Sequence, residues 1–232
     1  MKTLLLALLT ATSINGMAQD NPKFMNVMAV NGLNVRSQPD VNSRIVTKVA
    51  YAKKVEILEQ TKVNLQLGWI TDTWYKVRYR GREGFIFGGY LSELSPPNEL
   101  KAQTLSDVIP MYSAQVFTME EQPIVTKEPS SSGDTLKHTL IRFANGVELE
   151  LEQENERTSS LLILPTTVKE TYILLETLLK QSGNRELLIE LRFVKGKNGE
   201  LTRINTADGT ISIKASTSNK TSLQLVSYAV TN

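Results

Sequence analysis

Trp74-Tyr75-Lys76-Val77-Arg78-Tyr79, a turn at Arg80-Gly81-Arg82, and Glu83-Gly84-Phe85-Ile86-Phe87 set the architecture of the N-terminal part of this chain. Tyr75, Val77 and Tyr79 share one face of an extended backbone, while Lys76, Arg78 and Arg80 share the other. A period of two marks a strand with one face buried and one in water. Gly81 supplies the positive φ that a tight hairpin turn requires, so the two arms pair. Trp74 has the opposite phase to Tyr75 and Val77, which allows it to lie on the surface beside Lys76.

The flanking residues repeat the pattern. Leu33 and Val35 alternate with Asn34 and Arg36 until Ser37-Gln38-Pro39-Asp40 breaks the strand. Residues 24–30 and 55–59 read as further strands, Ile45, Val46 and Val49 lie between them, and Tyr90-Leu91 ends the series. Short strands with regular turn signals predict a small all-β barrel over residues 24–94. Between Leu58 and Trp74 runs a long connection in which Val63, Leu65, Leu67 and Trp69 alternate with polar residues. It reads as an added hairpin or an extended loop, and an apolar loop of this kind should pack on a neighbouring domain.

Leu33-Asn34-Val35-Arg36-Ser37-Gln38-Pro39, followed at this distance by the Trp74 to Phe87 stretch and Tyr90-Leu91, resembles a bacterial SH3-like (SH3b) domain. The resemblance implies an SH3-like barrel of an exported protein that binds or tethers rather than catalyses. It also implies recognition of peptide or peptidoglycan in a groove between loops. Matched onto this chain, the ligand-binding candidates are Asn34, Arg36, Trp74 and Tyr90, with Trp69 of the inserted segment beside them. In the family such Trp and Tyr side chains often complete the barrel core instead. Two departures stand out: Tyr51-Ala52 replaces a position often held by Gly, and residues 59–73 are an insertion.

Residues 95–133 read as a connector, opened by Ser95-Pro96-Pro97-Asn98 and ended by a flexible loop from Glu128-Pro129 to Gly133. From residue 134 the pattern sharpens. Strands at 136–144 and 147–151 flank the turn Asn145-Gly146, and Leu161-Leu162-Ile163-Leu164 reads as a buried strand stopped by Pro165. Thr167-Val168-Lys169-Glu170 fits a capping box, opening a helix to about residue 181 with a stop near Gly183. Val168, Tyr172, Leu175 and Leu179 form its apolar stripe, which Ile173, Leu174 and Leu178 widen, so the helix should touch something besides its own sheet. Strands at 187–194, 200–204, 210–214 and 222–230, with turns at 196–199, 208–209 and 218–219, complete an antiparallel meander. The fold expected is mainly β: an N-terminal SH3-like barrel plus a C-terminal α+β domain over 134–232.

The N-terminus reads as an export leader. Lys2 is followed by an apolar run from Leu4 to Leu9, and Gly16-Met17-Ala18 places small residues where a signal peptidase reads, so cleavage is expected after Ala18. No later segment is apolar for long enough to span a membrane, and the product is expected to be periplasmic or secreted. Cysteine is absent, so the fold must stand without disulfides. The barrel region carries ten Lys/Arg against six Asp/Glu, and residues 95–232 carry fourteen against seventeen.

Chemistry is tested by subtraction. Without cysteine no thiol nucleophile exists, and the single histidine, His138, rules out a multi-His zinc site within the chain. His138 falls between Lys137 and Thr139 on the polar phase of its strand. Glu148, Glu150, Glu152, Glu154 and Glu156 recur with period two, a solvated acidic ribbon on one sheet face. Lys76, Arg78, Arg80 and Arg82 interleave with aromatics as single-strand nucleic-acid binders do, but their alternation places them simply on the solvent face. The expectation is a non-enzymatic envelope protein, with no cofactor, no metal and no nucleic acid, whose barrel binds peptidoglycan or an envelope protein or peptide. The alternative is a structural pairing in which the barrel docks on the C-terminal domain and keeps no ligand groove. A carboxylate-dependent hydrolase trails behind.

Overall fold

A computed structural model describes residues 22–131, 133–197, 199–216 and 219–228. The expected leader, the turn residue Ser218 and the last residues of the expected final strand lie outside the described residues. No described helix is long and apolar enough to cross a membrane.

Seven strands make the first sheet: β1 (Lys23–Val27), β2 (Leu33–Arg36), β3 (Ile45–Val49), β4 (Lys54–Leu67), β5 (Ile70–Tyr79), β6 (Arg82–Phe87) and β7 (Leu91–Ser92). Their order is β3-β2-β6-β5-β4-β1-β7, antiparallel throughout. Val49 and Val35 come from one end of that order, Leu91 and Val27 from the other, yet all four pack in one core with Val55, Val77 and Ile86. A sheet whose two ends share a core has curled on itself, so it is barrel-like. Tyr75 and Tyr79 lean on this core beside Val77, as the alternation predicts. Arg78, on the opposite face, bridges Glu56 at 3.0 Å and Glu83 at 2.8 Å. The Arg80-Gly81 turn has positive φ at both residues, 49° and 73°, as a two-residue I′ hairpin turn demands.

The stretch expected as a connector carries a 3-10 turn and α1 (Val108–Val116). Leu100, Val108, Ile109 and Tyr112 are fully enclosed, and the Tyr112 hydroxyl donates to the Ser95 carbonyl at 3.0 Å. Glu128 and Pro129, expected in a flexible loop, instead finish β8 (Ile124–Pro129), which pairs with β9 (Thr135–Phe143). Then come β10 (Val147–Glu154), β11 (Arg157–Leu164), α2 (Val168–Gln181), β12 (Arg192–Lys195), β13 (Leu201–Asn205), β14 (Ile211–Ala215) and β15 (Thr221–Tyr228). The second sheet has eight strands in the order β12-β13-β14-β15-β11-β10-β9-β8. Two meanders therefore meet at the β15–β11 pair, and α2 connects them across one face.

Residues 187–190 depart from the expected strand. They form a 3-10 turn that places Leu187, Leu188 and Leu191 against the core and leaves Ile189 88% exposed. A strand would have buried Leu187 with Ile189 and Leu191 on one face. The chain needs Leu188 inside instead, and only a helical turn brings adjacent leucines to the same side.

One large core joins the two sheets. Met28, Ile70 and Phe87 belong to the barrel region, Leu100 and Ile109 to the intervening segment, and Ile173, Leu174 and Leu178 to α2, all within one cluster. The Thr177 hydroxyl reaches the Met28 carbonyl at 3.2 Å, and the Leu100 amide donates to the Gln181 carbonyl at 3.2 Å. The broad apolar face of α2 thus has its second partner.

Candidate functional site

The inserted residues are a continuation of the β4–β5 hairpin. Leu67 pairs with Ile70 across Gly68-Trp69, and Gly68 takes φ 58°, the first-position glycine of a II′-type turn. At this tip Ile70 turns inward to the shared core, while Trp69 stays 51% exposed. The Trp69 ring stacks on Phe193 of β12 with centroids 4.6 Å apart and planes 10° from parallel. One indole face is occupied by that stack, so the exposed half is the opposite face and edge. The Lys195 ammonium stands 6.0 Å from the ring centroid, within cation–π reach.

Opposite the tryptophan lies the start of α2. Thr167 is its N-cap, and its hydroxyl oxygen accepts from the Glu170 amide at 3.2 Å. This is half of the expected capping box. The Glu170 carboxylate does not return to the Thr167 amide; it accepts from Ser92 of β7 at 3.2 Å and from the Thr166 hydroxyl. The helix end is thereby bound to the barrel as well as capped. Lys169 reaches across to Asp72 of β5 at 2.5 Å, where the carboxylate side chain is 11% exposed. Glu200 and Leu201 close the third side. The result is an open groove of about 400 Å³ between hairpin tip, helix start and the β12–β13 turn, with Thr71 and Thr167 hydroxyls on its walls.

Only one of the five sequence candidates faces this groove. Trp74 is on the outer face of the barrel, as its phase implies, but that face is covered: the ring is 3% exposed and meets Phe87 edge-on at 6.5 Å. Tyr90 is half-buried, edge-on to Phe87 at 6.4 Å. Burial pushes its hydroxyl up to about 12, and the Glu176 carboxylate adds to the shift. Asn34 and Arg36 lie on β2, two strands from β5, and Arg36 donates to the Ser43 carbonyl at 2.6 Å, so it braces the 37–44 loop. Phe193, Lys169, Lys195 and Glu200 were missed as site residues. The one available signal was the apolar insertion, which had to meet a partner whose identity no local pattern reveals.

Elsewhere, His138 is partly exposed, 3.8 Å from Glu150, and Glu148 lies 3.9 Å from Lys220. The acidic ribbon on β10 is thus partly neutralised by its neighbours. Among the described residues, no three His, Cys, Asp or Glu side chains gather closely enough to hold a metal ion.

Residues 31–92 match the family model of the bacterial SH3 domain. No curated protein and no solved structure shows detectable similarity to the chain. The matched residues run from the turn before β2 to β7 and include the whole inserted hairpin. Domains of this kind commonly bind cell-wall material and typically act as binding modules.

Proposed function

We propose that this chain, with a bacterial SH3 domain at residues 31–92, is an exported, non-enzymatic protein of the cell envelope that binds peptidoglycan or an envelope protein or peptide. The observation that carries the reading is Trp69: a half-exposed aromatic ring, stacked on Phe193, in an open groove lined by threonines and charged groups. Ligand sites commonly combine a preformed apolar surface with a few polar groups that fix orientation. Export rests on the leader-like composition of residues 1–18.

The test is co-sedimentation of the chain from Gln19 onward with purified peptidoglycan, comparing wild type with Trp69→Ala. Saturable pelleting that the substitution weakens supports wall binding. Failure of the wild type to pellet refutes it. That failure would favour a purely structural barrel, a reading supported by the Met28, Ile70 and Phe87 side chains, which the barrel contributes to the common core.

A further inference from the structure

We infer that the groove at Trp69 is a saccharide subsite that takes an uncharged pyranose, with the apolar face of the sugar on the exposed part of the indole. The inference rests on the wall-binding reading and narrows it from peptidoglycan in general to its glycan. Three features of the groove point the same way.

The first is the platform. With Phe193 stacked on the ring, the half-exposed remainder of the indole is an apolar surface at an open groove, and the Lys195 ammonium stands 6.0 Å from its centroid. A pyranose ring presents C–H groups on one face and hydroxyls around its edge, so it is apolar where the indole is apolar and polar where the walls are polar. The second is the balance of charge. Lys169, Glu170, Lys195 and Glu200 line the groove, two of each sign, and Lys169 is further matched by Asp72. A lining with two groups of each sign has no net charge with which to select an anion or a cation. The third is the mixture of donors and acceptors. Glu170 is engaged by Ser92 and Thr166, Lys169 by Asp72, and the Thr167 oxygen accepts from the Glu170 amide, which leaves Glu200, Thr71, the Lys195 ammonium beside the indole and the Thr167 hydroxyl proton to the occupant. Sugar hydroxyls donate to the carboxylate and accept from the ammonium in the same short span. Among the described residues, neither Lys195 nor Glu200 has an ion-pair partner to displace.

The groove is composite. Trp69 and Thr71 come from the SH3 region, while Lys195, Glu200 and Thr167 come from the second sheet and its helix, as does Phe193 behind the indole. Neither half alone would carry it.

The probes are the β-1,4-linked hexamers of N-acetylglucosamine and of glucose, and a free wall stem tripeptide. Titration into the full chain is followed by tryptophan fluorescence, with ligand-observed NMR for variants. Trp74 is enclosed, so a fluorescence change reports Trp69. The expected result is saturable binding of at least one hexamer. Trp69→Ala should weaken it tenfold or more, Trp69→Phe should restore part of it, and Glu200→Gln or Lys195→Met should weaken it severalfold. The last two lie on exposed side chains, so their urea midpoints should match wild type. A preference for the acetylated hexamer would place an acetamide in the groove; equal binding would place only the ring there. Tripeptide binding with no response to either hexamer overturns the saccharide inference while leaving wall binding intact. Hexamer binding by a protein that does not pellet with peptidoglycan keeps the subsite and refutes the wall reading. Hexamer binding unaffected by Trp69→Ala overturns the site.

Discussion

Ile86 and Phe87 are neighbours on β6 that face opposite ways, Ile86 into the barrel core and Phe87 into the core shared with α2. Truncating each to alanine asks whether the two sheets unfold together. A buried Phe→Ala costs about 3–5 kcal/mol and a buried Ile→Ala about 2–5 kcal/mol. Phe87 sits at the upper end, because its ring also meets Trp74 and Tyr90 edge-on, and such pairs add about 0.5–1.5 kcal/mol. For a chain of this length each kcal/mol moves the midpoint by roughly 2–4 °C, so Phe87→Ala should lower Tm by roughly 6–20 °C. The probes separate the halves conveniently. Both tryptophans belong to the first sheet, while α2, the longest helix described, belongs with the second. Tryptophan fluorescence and helical circular dichroism should trace one coincident transition in wild type and in both variants. Two resolved transitions, or an Ile86→Ala shift seen by fluorescence and absent from the helix signal, would refute the shared core as a cooperative unit.

Three other perturbations test particular contacts. Lys169→Ala should destabilise by about 1–2 kcal/mol in urea titration and by more than Asp72→Ala, because it strands a mostly covered carboxylate, whereas the half-exposed lysine can turn to water; equal costs would contradict this. Gly84→Ala should cost about 1–3 kcal/mol or more, since its Cβ would lie 2.6 Å from both the Arg36 carbonyl oxygen and a Val35 methyl, while Gly81→Ala, in open space at φ 73°, should cost only about 1–2 kcal/mol of backbone strain. Alkaline titration should unfold the protein: burial raises the tyrosine hydroxyls of Tyr51, Tyr75, Tyr90, Tyr112 and Tyr172, so the folded state holds its protons longer than the unfolded one. Their contribution is fully present below about pH 10 and declines as pH rises towards and past the value of about 12 for Tyr90. Tyrosinate absorbance from these five should appear together with loss of the helix signal, and their ionisation at the ordinary tyrosine pH in a folded chain would overturn the assignment.

Local signals were readable wherever one face of an element met water. The 74–87 hairpin, the Asn145-Gly146 turn and the Thr167 start of α2 all follow from periodicity and turn chemistry. Readability failed at both extremes of burial. In α1 the enclosed residues Val108, Ile109, Tyr112 and Ser113 leave no clean polar stripe, and Pro110 obscures a helix in which it occupies the tolerated first turn. In β8 all six residues are exposed, so no alternation exists and the strand is defined only by its ladder to β9. Trp74 failed differently. Its phase gives the correct face, but phase cannot tell solvent from a second layer of protein. Trp69 was readable as a candidate, while its partners Phe193 and Lys195, more than a hundred residues away, were not.

The hairpin extension ties the barrel to the second sheet. β4 runs fourteen residues, and its pairing with β5 slips between Ile57 and Glu59 and again between Gln60 and Asn64. Bulges increase local twist and bend the strand that carries them. Before the first slip, the hairpin belongs to the barrel: Val55 lies in the barrel core and Ile57 leans on it. Beyond the second, Leu65 and Ile70 pack on the shared core and Asp72 meets Lys169. The same ribbon therefore serves two cores, and the slips are where it changes allegiance. A hairpin that only needed a partner surface could have ended in small residues. This one ends in a half-exposed tryptophan stacked on Phe193. Docking uses Ile70, Asp72 and one face of the indole, and the exposed remainder of the ring is the feature on which the proposed binding site rests.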